Sequence, residues 1–167
     1  MDISTAAVIA SAIADYVRRD QNARYGLTAT ATVTITGAGV GIGDADCGPL
    51  SIRSTPGGDV CVLTCSPFGA DEGLWNGPDV LPNDRHDGSM EASLWHDLIW
   101  GFSDDIAVQT CLDDSAAVKQ WGNGVLYAVW RATARRNGTW SWFNRIVARV
   151  AYGLTTWSRR WYGKIKG

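Results

Sequence analysis

Two histidines, each followed directly by an aspartate, are the residues of this chain best suited to chemistry: His86-Asp87 and His96-Asp97, both within the stretch NDRHDGSMEASLWHDLIWGF at 83–102. Imidazole and carboxylate together do general acid–base work, and both ligate divalent cations. The pattern predicts a helix from Met90 to about Trp100, capped by Ser89 or Asp87, with Met90, Leu94, Leu98 and Gly101 or Phe102 as its apolar stripe. On such a helix His96 and Asp97 diverge by about 100°. They cannot chelate one ion unless both side chains bend to a common point. Ala92, Ser93, Ile99 and Trp100 occupy the positions three and four from His96, so no paired-ligand helix motif exists. A site must therefore bring His96 or Asp97 to Asp87, to His86, or to an acid of another element such as Asp104, Asp105, Asp113 or Asp114. His96, Asp97 and Asp87 are the candidate catalytic or metal-ligating set, and a divalent metal is the candidate cofactor. A structural reading stands beside it: His96 as a buried hydrogen-bonding residue near Trp95 and Trp100, and Asp97 as an acceptor for backbone amides of a nearby loop. A pH-sensitive switch is the third reading.

Other groups carry weaker signals. Cys61 and Cys65 are three residues apart, unlike a zinc knuckle, and Cys47 and Cys111 supply no second close pair, so buried, reduced, structural thiols are expected. GAGVGIGD at 37–44 places glycine at every second position but runs into Asp44, Asp46 and Gly48-Pro49. A phosphate-binding loop needs a helix there. A glycine-rich strand or bulge, passed closely by another backbone, is expected instead.

The elements that must position the histidine stretch fall into two unlike parts. Ser4 or Thr5, then Val8 or Ile9, Ile13 and Val17, with Gly26 as a stop, predict an amphipathic N-terminal helix. LTATATVTIT at 27–36 alternates as a half-buried antiparallel strand does. Leu50–Ser54 and Val60–Thr64 flank the turn Thr55-Pro56-Gly57-Gly58-Asp59 as a hairpin. A long loop at 66–83 surrounds Trp75. Ser103-Asp104-Asp105 and Asp113-Asp114-Ser115 read as helix starts. Val118, Trp121, Val125 and Val129 then line one helix, and Phe143, Ile146 or Val147, Val150, Leu154, Trp157 and Trp161 another, with Arg145, Arg149 and Arg160 away from that stripe. These two helices are expected to pack on each other or on the sheet.

Charge divides the chain as well, with its boundary at 114/115. Residues 1–114 hold all 17 acids and five bases, whereas 115–167 hold ten Lys or Arg and no acid; all nine tryptophans lie at or beyond Trp75. A basic, Trp-rich segment suits an acidic protein, a membrane surface or nucleic acid, or complements the acidic part of its own chain. No run reaches the roughly 18 apolar residues of a membrane-spanning helix. The apolar run at 5–14 follows Met1-Asp2 rather than a basic region, so no signal peptide is expected, and the run reads as a helix of a protein made in the cytoplasm.

Asp87-Gly88-Ser89, His96-Asp97-Leu98-Ile99-Trp100 and NRIVARVAYGLTTW at 144–157 resemble segments of a family of small phage and prophage proteins, domain of unknown function thirteen fifty-three, over roughly residues 80–165. His86 stands where that family has threonine. An aspartate of its following helix has no clear counterpart, Lys119 or Gln120 lying near the place. The resemblance implies a protein encoded among tail and lysis genes, without assigning chemistry.

The expected architecture is α+β in a single domain, 1–167: an N-terminal helix and small antiparallel sheet in an acidic part, 1–82, then a bundle of C-terminal helices in a basic part, 83–167. The expected function is that of a phage virion or tail-associated accessory protein making protein–protein contacts through Arg145, Arg149, Trp157, Arg160 and Trp161, as a homo-oligomer or part of a larger assembly. A membrane surface is a further candidate partner; nucleic acid is not favoured. The alternative is a metal-dependent hydrolase of the host envelope using His96, Asp97 and Asp87.

Overall fold

The computed structural model describes residues 6–12, 16–19, 24–78, 88–139 and 142–165, with only the helical backbone described from 155 onward. Strands come first and helices last, giving an α+β fold. Five antiparallel strands form one sheet: β1 (Ala7–Ala12), β4 (Ala31–Thr36), β7 (Val60–Cys65), β6 (Leu50–Ser54) and β5 (Ala45–Cys47), in that spatial order. A separate hairpin pairs β2 (Tyr16–Arg19) with β3 (Arg24–Leu27). Four α-helices follow among the described residues: α1 (Ser89–Gly101), α2 (Ser103–Gln109), α3 (Ser115–Arg136) and α4 (Trp142–Ile165).

Alternation shapes the sheet. Ala31, Val33 and Ile35 of β4 are buried while Thr32 is exposed, and Cys61, Leu63 and Cys65 of β7 are buried in register with them. Leu50 and Ile52 of β6 complete the apolar face. Thr55–Asp59 makes the β6–β7 turn, where Gly58 adopts φ 71° and donates from its amide to Thr55 O. The apolar faces of sheet and helices merge into one cluster that includes Trp75, Leu94, Trp95, Leu98, Val118, Trp121, Val125 and Val129.

The expected N-terminal helix is absent: the described residues of that region are β1, β2 and β3. Spacings at Val8, Ile13 and Val17 fit a helix, but β4 leaves an open edge that β1 fills from Ala7↔Thr36 to Ala12↔Thr32, with an irregularity between Val8 and Ala10. Pairing on that edge satisfies β4's backbone groups, and tertiary context of this kind overrides a short helical pattern. Gly26 stops no helix. It lies in β3, where a Cβ would come 2.6 Å from Ala70 N and 2.9 Å from Phe68 O.

The predicted strand at 27–36 is interrupted, Leu27 ending β3 and β4 beginning at Ala31. The glycine-rich stretch is an irregular crossing rather than a strand, burying Val40 and Ile42, with the Gly41 amide donating to Gly58 O at 2.9 Å. Trp121 Nε1–H donates to Val40 O at 3.0 Å and so ties α3 to this crossing.

The helix starts expected at 103–105 and 113–115 are those of α2 and α3. Asp114 caps α3, its Oδ1 accepting from the Ala117 amide. Against α3, α4 presents Ala148, buried, with Val147 and Ala151 partly buried beside it. The larger side chains expected there, Phe143, Ile146, Val150 and Leu154, turn outward. Small residues let the two helix backbones approach, and Ala148 lies about 200° around the helix from Val150.

Candidate functional site

Helix α1 is buried along most of its circumference, at Ser89, Met90, Ala92, Ser93, Leu94, Trp95, Leu98 and Ile99. It starts at Gly88, whose φ of 90° and position against Thr133, 2.7 Å from where a Cβ would stand, admit no side chain without movement. Ser89 is therefore the first helical residue rather than its cap. His96, Asp97 and Trp100 occupy the remaining strip of α1.

On that strip His96 and Asp97 do bend toward each other, with Nδ1 3.1 Å from Oδ1. Their side chains are 12% and 14% exposed. The second carboxylate oxygen of Asp97 accepts from the Asn76 amide at 3.0 Å. One residue earlier, Trp75 is fully buried and donates from Nε1 to Ser93 Oγ at 2.9 Å; that hydroxyl in turn donates to Met90 O. The segment around Trp75 is thus held to α1 at two points.

The other ring nitrogen of His96 meets a residue that sequence reasoning passed over. Asn123, on α3 and fully buried, places Oδ1 3.2 Å from His96 Nε2 and accepts from Trp100 Nε1–H at 3.1 Å. An indole N–H only donates, so the amide oxygen must face it, and His96 Nε2 must donate as well. With that proton committed to Asn123, the Asp97 contact is a hydrogen bond only in a ring protonated on both nitrogens. In a neutral ring a lone pair faces the carboxylate. Asn123 Nδ2 is buried without a hydrogen-bond partner among the described residues. Lys119 Nζ lies 5.5 Å from the Trp100 ring centroid, and the His96 and Trp100 rings are 5.0 Å apart.

Asn123 stands four positions, about one turn of α3, beyond Lys119. Its sequence signal is its neighbour Gly122, since a glycine inside a helical pattern marks a place where another element can come close. A Cβ on Gly122 would come 2.8 Å from Ile99 Cγ2.

The structure brings His96 and Asp97 together; Asp87, like His86, lies outside the described residues. Asp104, Asp105, Asp113 and Asp114 are exposed, and Asp114 serves as the α3 cap. Among the described residues no group of three or more His, Cys, Asp or Glu is placed to hold a metal ion. The four cysteines are free thiols, Cys47, Cys61 and Cys65 buried and Cys111 exposed, contrary to the expectation that all are buried. Burial pushes Cys61 up to about 11 and Cys65 to about 12.

Each ring nitrogen of His96 faces a protein atom, Nδ1 the Asp97 carboxylate and Nε2 the Asn123 amide oxygen, so the cluster joins α1 to α3. The contact surface expected on α4 is different in kind. Arg145 and Arg149 are exposed, while Trp157, Arg160 and Trp161 lie on the helix where only the backbone is described. Beside the two arginines, Trp142 is 73% exposed, Phe143 52%, Ile146 50% and Val150 52%. Comparison with known proteins found no matching family model, no similar curated protein and no similar solved structure.

Proposed function

We propose that this protein is a phage virion or tail-associated accessory protein that works by docking, and that the outer face of α4 is a docking surface. The observation that carries the reading is the uncovered apolar stripe Phe143, Ile146, Val150 and Leu154, running along a helix whose inner face is already packed on α3. Singly exposed apolar residues are ordinary, but a contiguous row, on a helix that turns Arg145 and Arg149 to another exposed side, marks a surface that something covers. The phage setting comes from the resemblance over residues 80–165, which implies a place among tail and lysis proteins. Contacts with other phage proteins belong to that role.

The envelope hydrolase is the lesser reading, since both ring nitrogens of His96 face side chains of its own fold, Asp97 and Asn123. Purified particles probed for the protein, with wild type compared against Ile146→Asp/Val150→Asp, test the proposal. Wild type is expected in particles or bound to a tail component, and the double variant is expected to be lost from them. Absence of wild type from particles and from every tail component overturns it.

A further inference from the structure

The covering surface has a chemistry, and α4 states half of it. From Trp142 to Ile165 the helix carries Arg145, Arg149, Arg159, Arg160 and Lys164 and no acid. Its apolar stripe from Phe143 to Leu154 extends about 16 Å along one side, at 1.5 Å per residue. The inner side, at Ala148 and Ala151, is occupied by α3, so the outward stripe is not spare core. No helix among the described residues is long and apolar enough to cross a membrane.

We infer that α4 is an interfacial helix that lies on an anionic lipid bilayer, its outer stripe in the headgroup–acyl boundary and Arg145 and Arg149 among the headgroups. This rests on the reading of α4 as a docking face and names what the face meets. The charge argument is one of complementarity: a helix with five bases and no acid gains from anionic headgroups wherever it sits along the surface. The shape argument is that a one-sided apolar row along a helix fits a plane that takes up apolar side chains along its whole length. Tryptophans at 142, 157 and 161 supply the residue type that favours such an interface.

The test is co-sedimentation of the full-length protein with vesicles of phosphatidylcholine alone and of phosphatidylcholine with phosphatidylglycerol. Binding is expected to the anionic vesicles, weakened by raised salt. Arg145→Ala/Arg149→Ala should lower it on the order of tenfold or more, since each base near such a surface contributes about fivefold. Ile146→Asp/Val150→Asp should abolish it, with an unchanged far-ultraviolet circular dichroism spectrum showing that the variant is folded. Failure of folded wild type to bind anionic vesicles, or equal binding by the double aspartate variant, overturns the inference. If wild type ignores vesicles yet loses a purified tail protein or its own oligomer on Ile146→Asp/Val150→Asp, the docking face stands and its cover is protein. If those substitutions change no association of any kind, both readings fall.

Discussion

Asn123 Oδ1 accepts from two α1 side chains at once, His96 Nε2 at 3.2 Å and Trp100 Nε1 at 3.1 Å, so a single buried amide oxygen joins α3 to α1. Breaking one partner of such an arrangement leaves a buried group unsatisfied, at a cost of about 1–3 kcal/mol. Asn123→Ala is therefore expected to destabilise by that amount, and His96→Ala likewise. A double-mutant cycle read by urea unfolding should give a coupling of at least about 0.5 kcal/mol. Simple additivity would mean that the contact does not join the helices.

Close approach of the same two helices depends on Gly122. In an exposed helix Gly→Ala stabilises by about 1 kcal/mol. Here the added methyl meets the buried Ile99 Cγ2 at 2.8 Å and its Cβ at 3.3 Å, and branched Ile99 has no room to retreat. Gly122→Ala is expected to destabilise by about 1–3 kcal/mol, as overpacking does, and a thermal melt will show the sign.

The thiols make a pH prediction. Burial raises Cys61 from 9.0 to about 11 and Cys65 from 9.0 to about 12, so in the folded protein both stay protonated where unfolded thiols ionise. Their contribution to stability is full below pH 9 and is lost as pH rises through about 11 to 12. Iodoacetamide at pH 8 should modify the exposed Cys111 first, leaving Cys61 and Cys65 for the unfolded protein. Equal labelling of all sites in the folded state would contradict their burial.

The two sides of α4 should respond oppositely to charge. Ala148→Asp places a carboxylate in a fully buried position and is expected to cost about 3 kcal/mol or more. Ile146→Asp and Val150→Asp, on the exposed side, should each stay within about 0.5 kcal/mol of wild type. Denaturation midpoints of the three variants check both statements.

Where one face of an element is buried and the other wet, the chain could be read directly. β4, the β6–β7 hairpin, the Met90-Leu94-Leu98 stripe and the starts of α2 and α3 all carry periodicities or caps that act locally. β1 was not readable, because Val8 and its neighbours suit a helix as well as a strand and only the open edge of β4 decides. The amphipathic character of α4 was plain, but its orientation was not, since Ala148 and Ala151 are chosen by closeness to α3 rather than by hydrophobicity. The joint is half legible: His96 and Asp97 stand out by residue type, whereas Asn123 becomes significant only once α3 is laid across α1.

The proposed docking role places function at the outer face of α4 and not in chemistry at His96. Its most direct test sets His96→Ala beside Ile146→Asp/Val150→Asp in one association assay, full-length protein with phosphatidylglycerol-containing vesicles and with purified particles. His96→Ala is expected to bind as wild type does, at a temperature where it is folded, and the α4 variant is expected not to bind. Retained binding by the α4 variant, with loss confined to folded His96→Ala, would contradict it.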